Sequence, residues 1–198
     1  MIIKIVYDNK ALPGFKAGWG FSCFIKHNIK LLFDTGWRYS ILRYNMEKLG
    51  IYLEDIDAIF ISHAHHDHAG GLKKMKYKGK IYVPFSSNLQ GIKLKEEEFL
   101  QNFISTGEIN GEQSLIVKKN DKLFVITGCA HNGLKNVLRI AEKYGEIYGI
   151  IGGFHDFYEI QILKKYKMIM PCHCTKLKRQ IEKFGNAIKC MAGKVIKI

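Results

Sequence analysis

The chain has 198 residues with a hydrophobic content of 47%, and its 31 basic and 18 acidic residues give a formal net charge of +13. No linker, repeat or low-complexity tract divides the chain, so we expect one domain over residues 1–198, and no apolar run approaches the ~20 residues that would predict a membrane partner. The positive charge favours an anionic partner such as a phosphate ester, a carboxylate or a nucleic acid, unless it reflects only a lysine-rich solvated surface.

Short apolar runs rich in Ile, Val, Phe and Tyr predict β-strands along the whole chain. The first run, residues 2–7, lacks the long apolar core and the cleavage site of a secretory signal. We therefore expect a strand there and a cytoplasmic protein. Further strands are predicted at 21–26, 29–33, 58–62, 80–83, 114–118, 122–127, 147–151, 168–170, 187–190 and 194–198.

Helical spacing of apolar residues falls between these runs. Helices are predicted at 40–49, 134–144, 157–166 and 175–184. Residues 86–111 are less regular, and we predict a helical lid or a loop there. His27-Asn28 and Asn120-Asp121 are predicted to form hairpin turns. Hairpins early in the chain and strand–helix alternation later indicate an α/β fold of two sheets with outer helices.

Residues 63–68 read His-Ala-His-His-Asp-His and follow an apolar strand. In an extended segment, His63 and His65 point to the same side and can bind one ion, while Asp67 and His68 lie past the bend and can face a second. These donors suit zinc, iron or manganese. The alternatives are a solvated polar loop, a pH-sensing cluster or a fortuitous His-rich tract.

Three later strands each place a histidine just past their ends, at His131, His155 and His173. Ligands and active sites of layered α/β folds collect at such ends. Any one of these histidines alone would more often be a buried, hydrogen-bonded residue, but the shared context favours a common site. His27 lies in a predicted hairpin turn and is assigned no role in the site.

His63, His65, Asp67 and His68 match the pattern His-x-His-x-Asp-His, and residues 31–36 read Leu-Leu-Phe-Asp-Thr-Gly. In these elements the chain resembles the metallo-β-lactamase superfamily, and the resemblance spans nearly its whole length. It implies an αββα sandwich, in which two mixed β-sheets are flanked by helices and the metals lie at the sheet edges.

The resemblance also implies a ligand set for two divalent metal ions, zinc by preference, with manganese and iron as alternatives. The first ion would be held by His63, His65 and His131. The second ion would be held by Asp67, His68 and His173. Asp34 would accept a hydrogen bond from the ring of a ligand histidine; otherwise it is a helix-capping or turn aspartate.

The chain departs from the superfamily at the position where an aspartate usually bridges both metals. Residues 152–156 read Gly-Gly-Phe-His-Asp. The Gly-Gly-Phe-His, Gly-Cys-Ala-His and Pro-Cys-His-Cys-Thr runs resemble a subgroup that includes the dihydropterin ribofuranosylaminobenzene phosphate synthases, which make a methanopterin precursor. We predict that His155 takes the bridging position, as a metal ligand or a substrate contact, with Asp156 as the weaker candidate. Cys172 and Cys174 flank His173, and for them we favour packing, or a role in supporting the metal ligands, over direct metal binding or redox chemistry.

The chemistry that the resemblance implies is metal-dependent hydrolysis. The ions lower the pKa of bound water from ~16 to ~7, and the metal-bound hydroxide attacks phosphorus or a carbonyl carbon. Asp67 would hold one ion and accept the proton, and His155 would donate to the substrate or the leaving group. The charge favours a small anionic substrate, of phosphoester type rather than a neutral lactone.

Three other functions stay open. A nuclease that processes RNA or DNA suits the charge, but the chain is short and its basic residues lack the interleaved aromatics of a single-strand platform. An iron-dependent redox or sulfur enzyme on the same scaffold is consistent with the histidines and the Cys172/Cys174 pair. A catalytically silent metal-binding module would bind metal without turnover.

Overall fold

Thirteen strands form the body of the computed structural model, which describes all residues from 1 to 198. Their order along the chain follows the predicted apolar runs closely. The strands are β1 (Ile2–Tyr7), β2 (Ser22–Lys26), β3 (Lys30–Phe33), β4 (Ala58–Phe60), β5 (Lys80–Val83), β6 (Ile92–Lys93), β7 (Glu96–Leu100), β8 (Phe103–Ile109), β9 (Glu112–Lys119), β10 (Lys122–Thr127), β11 (Glu146–Gly152), β12 (Met168–Pro171) and β13 (Val195–Lys197).

The strands form two mixed sheets. The first has the order β13-β1-β2-β3-β4-β5-β6, with antiparallel pairing from β13 to β3 and parallel pairing from β3 to β6. The second has the order β12-β11-β10-β9-β8-β7, parallel from β12 to β10 and antiparallel from β10 to β7. As a result, the ends of β1, β3 and β4 lie at one edge of the first sheet.

Short helices cover the outer faces of the sheets. The α-helices are α1 (Tyr39–Lys48), α2 (His66–Ala69), α3 (Leu134–Glu142) and α4 (Lys178–Ile181), and 3₁₀ turns span Leu53–Asp55, Gly70–Lys74 and Ile160–Lys165. In α1, Leu42 and Met46 lie one turn apart and are buried, and Gly50 follows the helix end with φ +63°. None of these helices is long and apolar enough to cross a membrane.

Three apolar layers hold the sandwich together. The central layer lies between the sheets and contains Phe33 and Phe60, whose rings stack at 5.6 Å, together with Phe124 from the opposite sheet. A second layer packs α3 and its neighbours on one sheet, and a third packs α1 on the other. This is the predicted αββα architecture, with one buried layer between the sheets and one under each set of helices.

The hairpin turns at His27-Asn28 and Asn120-Asp121 are confirmed, since they join β2 to β3 and β9 to β10 in antiparallel pairs. The prediction for residues 86–111 is wrong, because this region contains β6, β7 and β8 instead of a lid. Strand β7 begins with three exposed glutamates at the edge of its sheet, so it lacks the alternation by which a strand is recognised.

Three other predicted elements are shorter than expected or absent. The region predicted as a helix at 157–166 forms the 3₁₀ turn Ile160–Lys165, and the helix predicted at 175–184 is reduced to α4. The strand predicted at 187–190 is wrong, since only an isolated bridge between Ile169 and Ala187 forms there. None of these elements carries a candidate metal ligand.

Candidate metal centre

The two sheets bring their candidate ligands to a common edge. The motif of residues 63–68 follows β4, while His131 follows β10 and His173 follows β12. Asp34 follows β3, which is parallel to β4, so it lies directly beside the start of the motif. The structure therefore assembles residues that are up to 139 positions apart, counting from Asp34 to His173.

One donor group consists of His63, His65 and His131, whose potential ligand atoms all lie within 4.8 Å of one another. The ring centroids are 4.5 Å apart for His63–His65, 4.9 Å for His63–His131 and 5.0 Å for His65–His131. His63 is buried, whereas His65 and His131 are exposed. This is the set predicted for the first ion.

The other donor group consists of Asp67, His68 and His173, again with ligand atoms within 4.8 Å. His173 Nε2 lies 2.9 Å and His68 Nε2 3.7 Å from Asp67 Oδ2. His68 and His173 are buried and Asp67 is half-buried. The rings of His63 and His68 are 4.2 Å apart, so the two groups adjoin. This is the set predicted for the second ion.

Asp34 and Ser62 orient the rings of His68 and His63 through hydrogen bonds to their Nδ1 atoms. Asp34 is fully buried and accepts hydrogen bonds from His68 Nδ1, from Ser62 Oγ and from the Ser62 backbone N–H, each over 2.7 Å. Since the Ser62 hydroxyl donates to Asp34, it accepts from His63 Nδ1 at 2.9 Å. The Nε2 atoms of both rings are thereby turned toward the centre, as predicted for the role of Asp34.

Glu112 and Asn9, which the sequence did not single out, orient the other two rings. Glu112 Oε2 accepts from His131 Nδ1 and Asn9 Oδ1 accepts from His173 Nδ1, both over 2.9 Å. Glu112 opens β9, which is antiparallel to β10, so it lies at the edge where His131 emerges. A carboxylate before a predicted strand was the only sequence signal, and it does not distinguish Glu112 from other acidic residues.

The Glu112 carboxylate also fixes the loop that carries His131. Its oxygens accept from the backbone N–H groups of Cys129, Ala130 and His131 over 2.7, 2.8 and 3.0 Å. Burial alone would raise the pKa of Glu112, but the hydrogen bond from the His131 ring, the nearby His63 and these N–H groups outweigh it and lower the pKa to about 2. The same hydrogen bond raises the pKa of His131.

Burial is the main influence on the pKa values of His63, His68 and Asp34. It lowers the pKa of both His63 and His68 to about 3, so these rings are neutral, which is the form that coordinates metal. It also raises the pKa of Asp34, although the nearby His63 and the hydrogen bonds from Ser62 oppose this. Asp67 differs, because the hydrogen bond from His173 and the neighbouring histidines overcome burial and hold its pKa below the usual range.

The residues fit a dinuclear metal centre by one further observation. His63 Nε2 is buried and has no hydrogen-bond partner, although its other ring nitrogen is engaged. An unpartnered buried nitrogen is costly, and a metal ion would satisfy it. One group offers three imidazoles and the other two imidazoles and a carboxylate, which are donor sets suited to zinc and similar divalent ions.

His155 belongs to neither donor group. Its ring centroid lies 4.8 Å from that of His131, its side chain is 36% exposed, and its Nδ1 is 3.2 Å from Asp156 Oδ2. Asp156 in turn pairs with Lys176 at 2.6 Å. The structure thus places His155 at the outer rim, beside His131, and Asp156 farther toward the surface.

The cysteines flanking His173 have different environments. Cys172 is fully buried in the layer between the sheets, which matches the predicted packing role. Cys174 is half-buried, and its sulfur lies in a donor group with Cys129 and His173, so it faces the centre. Cys172 therefore packs in the core, whereas Cys174 lies beside the candidate ligand His173.

An αββα sandwich with paired histidine-rich donor groups at one sheet edge defines a metal-dependent hydrolase of metallo-β-lactamase type. Residues 22–95 match the family of the Anti-Pycsar protein Apyc1. Uncharacterized protein MJ0448 of Methanocaldococcus jannaschii is 30% identical over the whole length of both chains. The 7,8-dihydropterin-6-methyl-4-(β-D-ribofuranosyl)-aminobenzene-5′-phosphate synthase of the same organism is 24% identical, over 85% of this chain and 84% of the synthase.

Among solved structures, Tm1679, described as a metal-dependent hydrolase of the β-lactamase superfamily, superposes with a TM-score of 0.83. It is 27% identical, and the match covers 100% of this chain and 99% of Tm1679. The chain belongs to the metallo-β-lactamase superfamily, and we class it as a metal-dependent hydrolase of that superfamily.

Proposed function

We propose that the protein hydrolyses a small anionic substrate of phosphoester type at a centre for two divalent metal ions, zinc by preference. The observation that carries this proposal is the pair of adjoining donor groups, which between them leave the buried His63 Nε2 unpartnered. His63, His65 and His131 would hold one ion, and Asp67, His68 and His173 the other. When bound, such ions activate water as a nucleophile and neutralise charge that develops on oxygen.

The surrounding residues hold the ligands in place for this chemistry. Ser62, Asp34, Glu112 and Asn9 each accept the Nδ1 hydrogen of one ligand histidine. Each ring is therefore oriented with Nε2 inward, and the outer hydrogen bond makes that nitrogen more basic in the neutral ring. Preorganisation of this kind avoids reorienting the ligands during the reaction.

Asp67 and His155 would have separate roles. Since its neighbours keep the pKa of Asp67 low, this carboxylate stays ionised and serves to hold charge at the centre more than to accept a proton. His155 lies beside His131 at the exposed rim. From there its ring can contact the substrate and donate a proton to the leaving group.

A basic groove beside the motif supports an anionic substrate. The groove has a volume of about 830 Å³, and His66, inside the motif, lines it. Its cationic side chains are Lys16, Arg38, Arg43, Lys73 and Lys74. The one acidic residue that lines it, Glu47, is already paired with Arg43 at 2.7 Å. No residue of the two donor groups lines the groove, but His66 lies between His65 and Asp67 in the chain. The groove thus presents excess positive charge beside the motif, which would raise the local concentration of an anion.

The assignment of the centre can be tested with His65→Ala. His65 is an exposed member of the first donor group, so its removal should abolish hydrolysis in a panel of phosphomonoesters, phosphodiesters, lactones and thioesters without unfolding the protein. His27→Ala is the matched control, because His27 lies in the β2–β3 hairpin and contacts the Lys118 carbonyl. Unchanged turnover in His65→Ala would rule out the proposed centre.

The substrate class can be tested separately by substituting cationic residues of the groove. The double variant Lys73→Ala/Lys74→Ala should raise KM for phosphoesters about tenfold at low salt, with less effect at high salt, because screening weakens surface attraction. Lys76 and Lys78 lie on the same segment but border a different pocket, so their double alanine variant is the control. Equal KM values in the two double variants would argue against the groove as the binding site.

A nuclease is the second candidate, and the aromatic side chains that line the groove favour it. The sequence predicted basic residues without interleaved aromatics, but Trp37, Tyr39 and Tyr44 line the groove among the cations, and Trp37 is 52% exposed. Bases can stack on such side chains. Salt-dependent binding of single-stranded RNA that Trp37→Ala weakens, with cleavage of that RNA, would favour the nuclease over the small-substrate enzyme.

A further inference from the structure

Cys129 places its sulfur between the two donor groups. It is 2% exposed, and its Sγ lies 3.1 Å from His68 Nε2. The sulfur is within 4.8 Å of the ligand atoms of His63 and His68, and it forms a further such group with His173 and Cys174. Since His63 belongs to the first donor group and His68 to the second, Cys129 adjoins both.

The loop that carries Cys129 is held rigidly in this orientation. Glu112 accepts its backbone N–H over 2.7 Å, and Ala130 adopts a left-handed conformation with φ +56°. At Gly128 a side chain is excluded, because an added Cβ would lie 2.1 Å from Ser62 Oγ. The path from Gly128 to His131 therefore directs a thiol and an imidazole into one centre from positions two residues apart.

His155 and Cys129 differ in their positions relative to the two donor groups. The sequence assigned the bridging position to His155, yet that residue lies in neither donor group, whereas Cys129 reaches members of both. We infer that the Cys129 sulfur is the protein donor shared by the two metal ions. On metal binding the thiol transfers its proton to solvent and the thiolate forms sulfur–metal bonds. Thiolate is a soft ligand that zinc accepts readily.

This inference rests on the proposed metal centre, but not on its substrate, so its test requires no turnover. Chelator-treated protein is reloaded with Co²⁺, and the sulfur-to-cobalt charge-transfer absorption in the near ultraviolet is recorded together with bound cobalt. The wild-type chain should show the band, and Cys129→Ser should lose it. Cys174→Ser and His155→Ala should keep it, as should Cys23→Ser, the control for a buried cysteine outside every donor group.

Each outcome of the cobalt experiment supports or contradicts the inferred role of Cys129. Bound cobalt without the band, or a band that persists in Cys129→Ser, would overturn the bridging sulfur while leaving the metal centre intact. Failure to bind cobalt at all would overturn the centre itself. If Cys129→Ser does not fold, zinc X-ray absorption of Cys174→Ser answers the same question. A sulfur neighbour at about 2.3 Å supports the inference, and a shell of nitrogen and oxygen alone contradicts it.

Discussion

The two halves of the centre differ in their exposure. In the first donor group His65 and His131 are exposed, and only His63 is buried. In the second group His68 and His173 are buried, and Asp67 is half-buried. The first half therefore faces the solvent from which a substrate arrives, while the second is enclosed by the protein.

The residues that accept hydrogen bonds from the ligand histidines also differ between the two halves. His68 is held by Asp34, a fully buried carboxylate that accepts three hydrogen bonds, and His173 is held by Asn9. His131, in the open half, depends on Glu112 from the neighbouring strand. We conclude that the enclosed half provides a fixed position for an ion, and that the open half provides access for the substrate. The following variants test this division.

The largest effect is expected from Asp34→Ala. The change leaves the Ser62 N–H and His68 Nδ1 without their acceptor in a fully buried position, which should cost about 3 kcal/mol of unfolding free energy. Second-ion affinity should fall about 10- to 100-fold. Denaturant unfolding and metal titration measure the two effects.

Asp55→Ala is the control for Asp34→Ala, because Asp55 forms an exposed ion pair with Lys30. Loss of such a pair should cost less than about 1 kcal/mol. If the two variants were equally stable and bound metal equally well, Asp34 would have no supporting role in the enclosed half.

Glu112→Gln should act on the open half, and its effect should depend on pH. The folded-state pKa of Glu112 is about 2, below its ordinary value of 4.5, so its stabilising contribution is present above pH 4.5 and is lost as the pH falls toward 2. At neutral pH the variant should be less stable by roughly 3 kcal/mol, and the two stabilities should converge on acidification.

Urea unfolding of chelator-treated protein across this pH range is the measurement for Glu112→Gln. The variant should also bind the first ion about tenfold more weakly, since His131 loses its partner. A stability difference that stays constant between pH 4.5 and 2 would contradict the role assigned to the charged carboxylate.

Asn9→Ala should have the smallest effect of the three. His173 Nδ1 and the Gly20 N–H would lose their acceptor and the His173 carbonyl would lose its donor, but the His173 backbone N–H would still donate to Asp8 over 2.8 Å and keep the loop in place. The affinity for the second ion should fall about tenfold, with a loss of stability of about 1 kcal/mol. Asn136→Ala, at an exposed helical asparagine, is the control. A loss larger than that of Asp34→Ala would reverse the proposed ranking.

The sequence predicted the ligand histidines because they follow local rules. Residues 63–68 form one contiguous motif, and His131 and His173 each come just after an apolar strand. The supporting residues follow no such rule. Glu112 meets His131 across 19 positions, through the pairing of β9 with β10. Asn9 meets His173 across 164 positions, at the edge where the two sheets face each other, and the sequence displays neither arrangement.

The sequence predicted neither the position of Cys129 beside both donor groups nor the strand β7, because both depend on the tertiary structure. A lone cysteine near a strand end reads as a small apolar residue, and only the folded loop shows that its sulfur adjoins both donor groups. In β7 the glutamates are tolerated because the strand lies at a sheet edge, which is a property of the tertiary structure. The apolar pattern that predicts core strands is absent there.

The most direct test of the account is the number of metal ions that the chain binds. Chelator-treated wild-type protein is supplied with excess zinc, freed of unbound metal and analysed for zinc per chain. We expect about two equivalents, one for each donor group. Less than one equivalent, with metal supplied in excess, would contradict the claim that these residues form a metal centre.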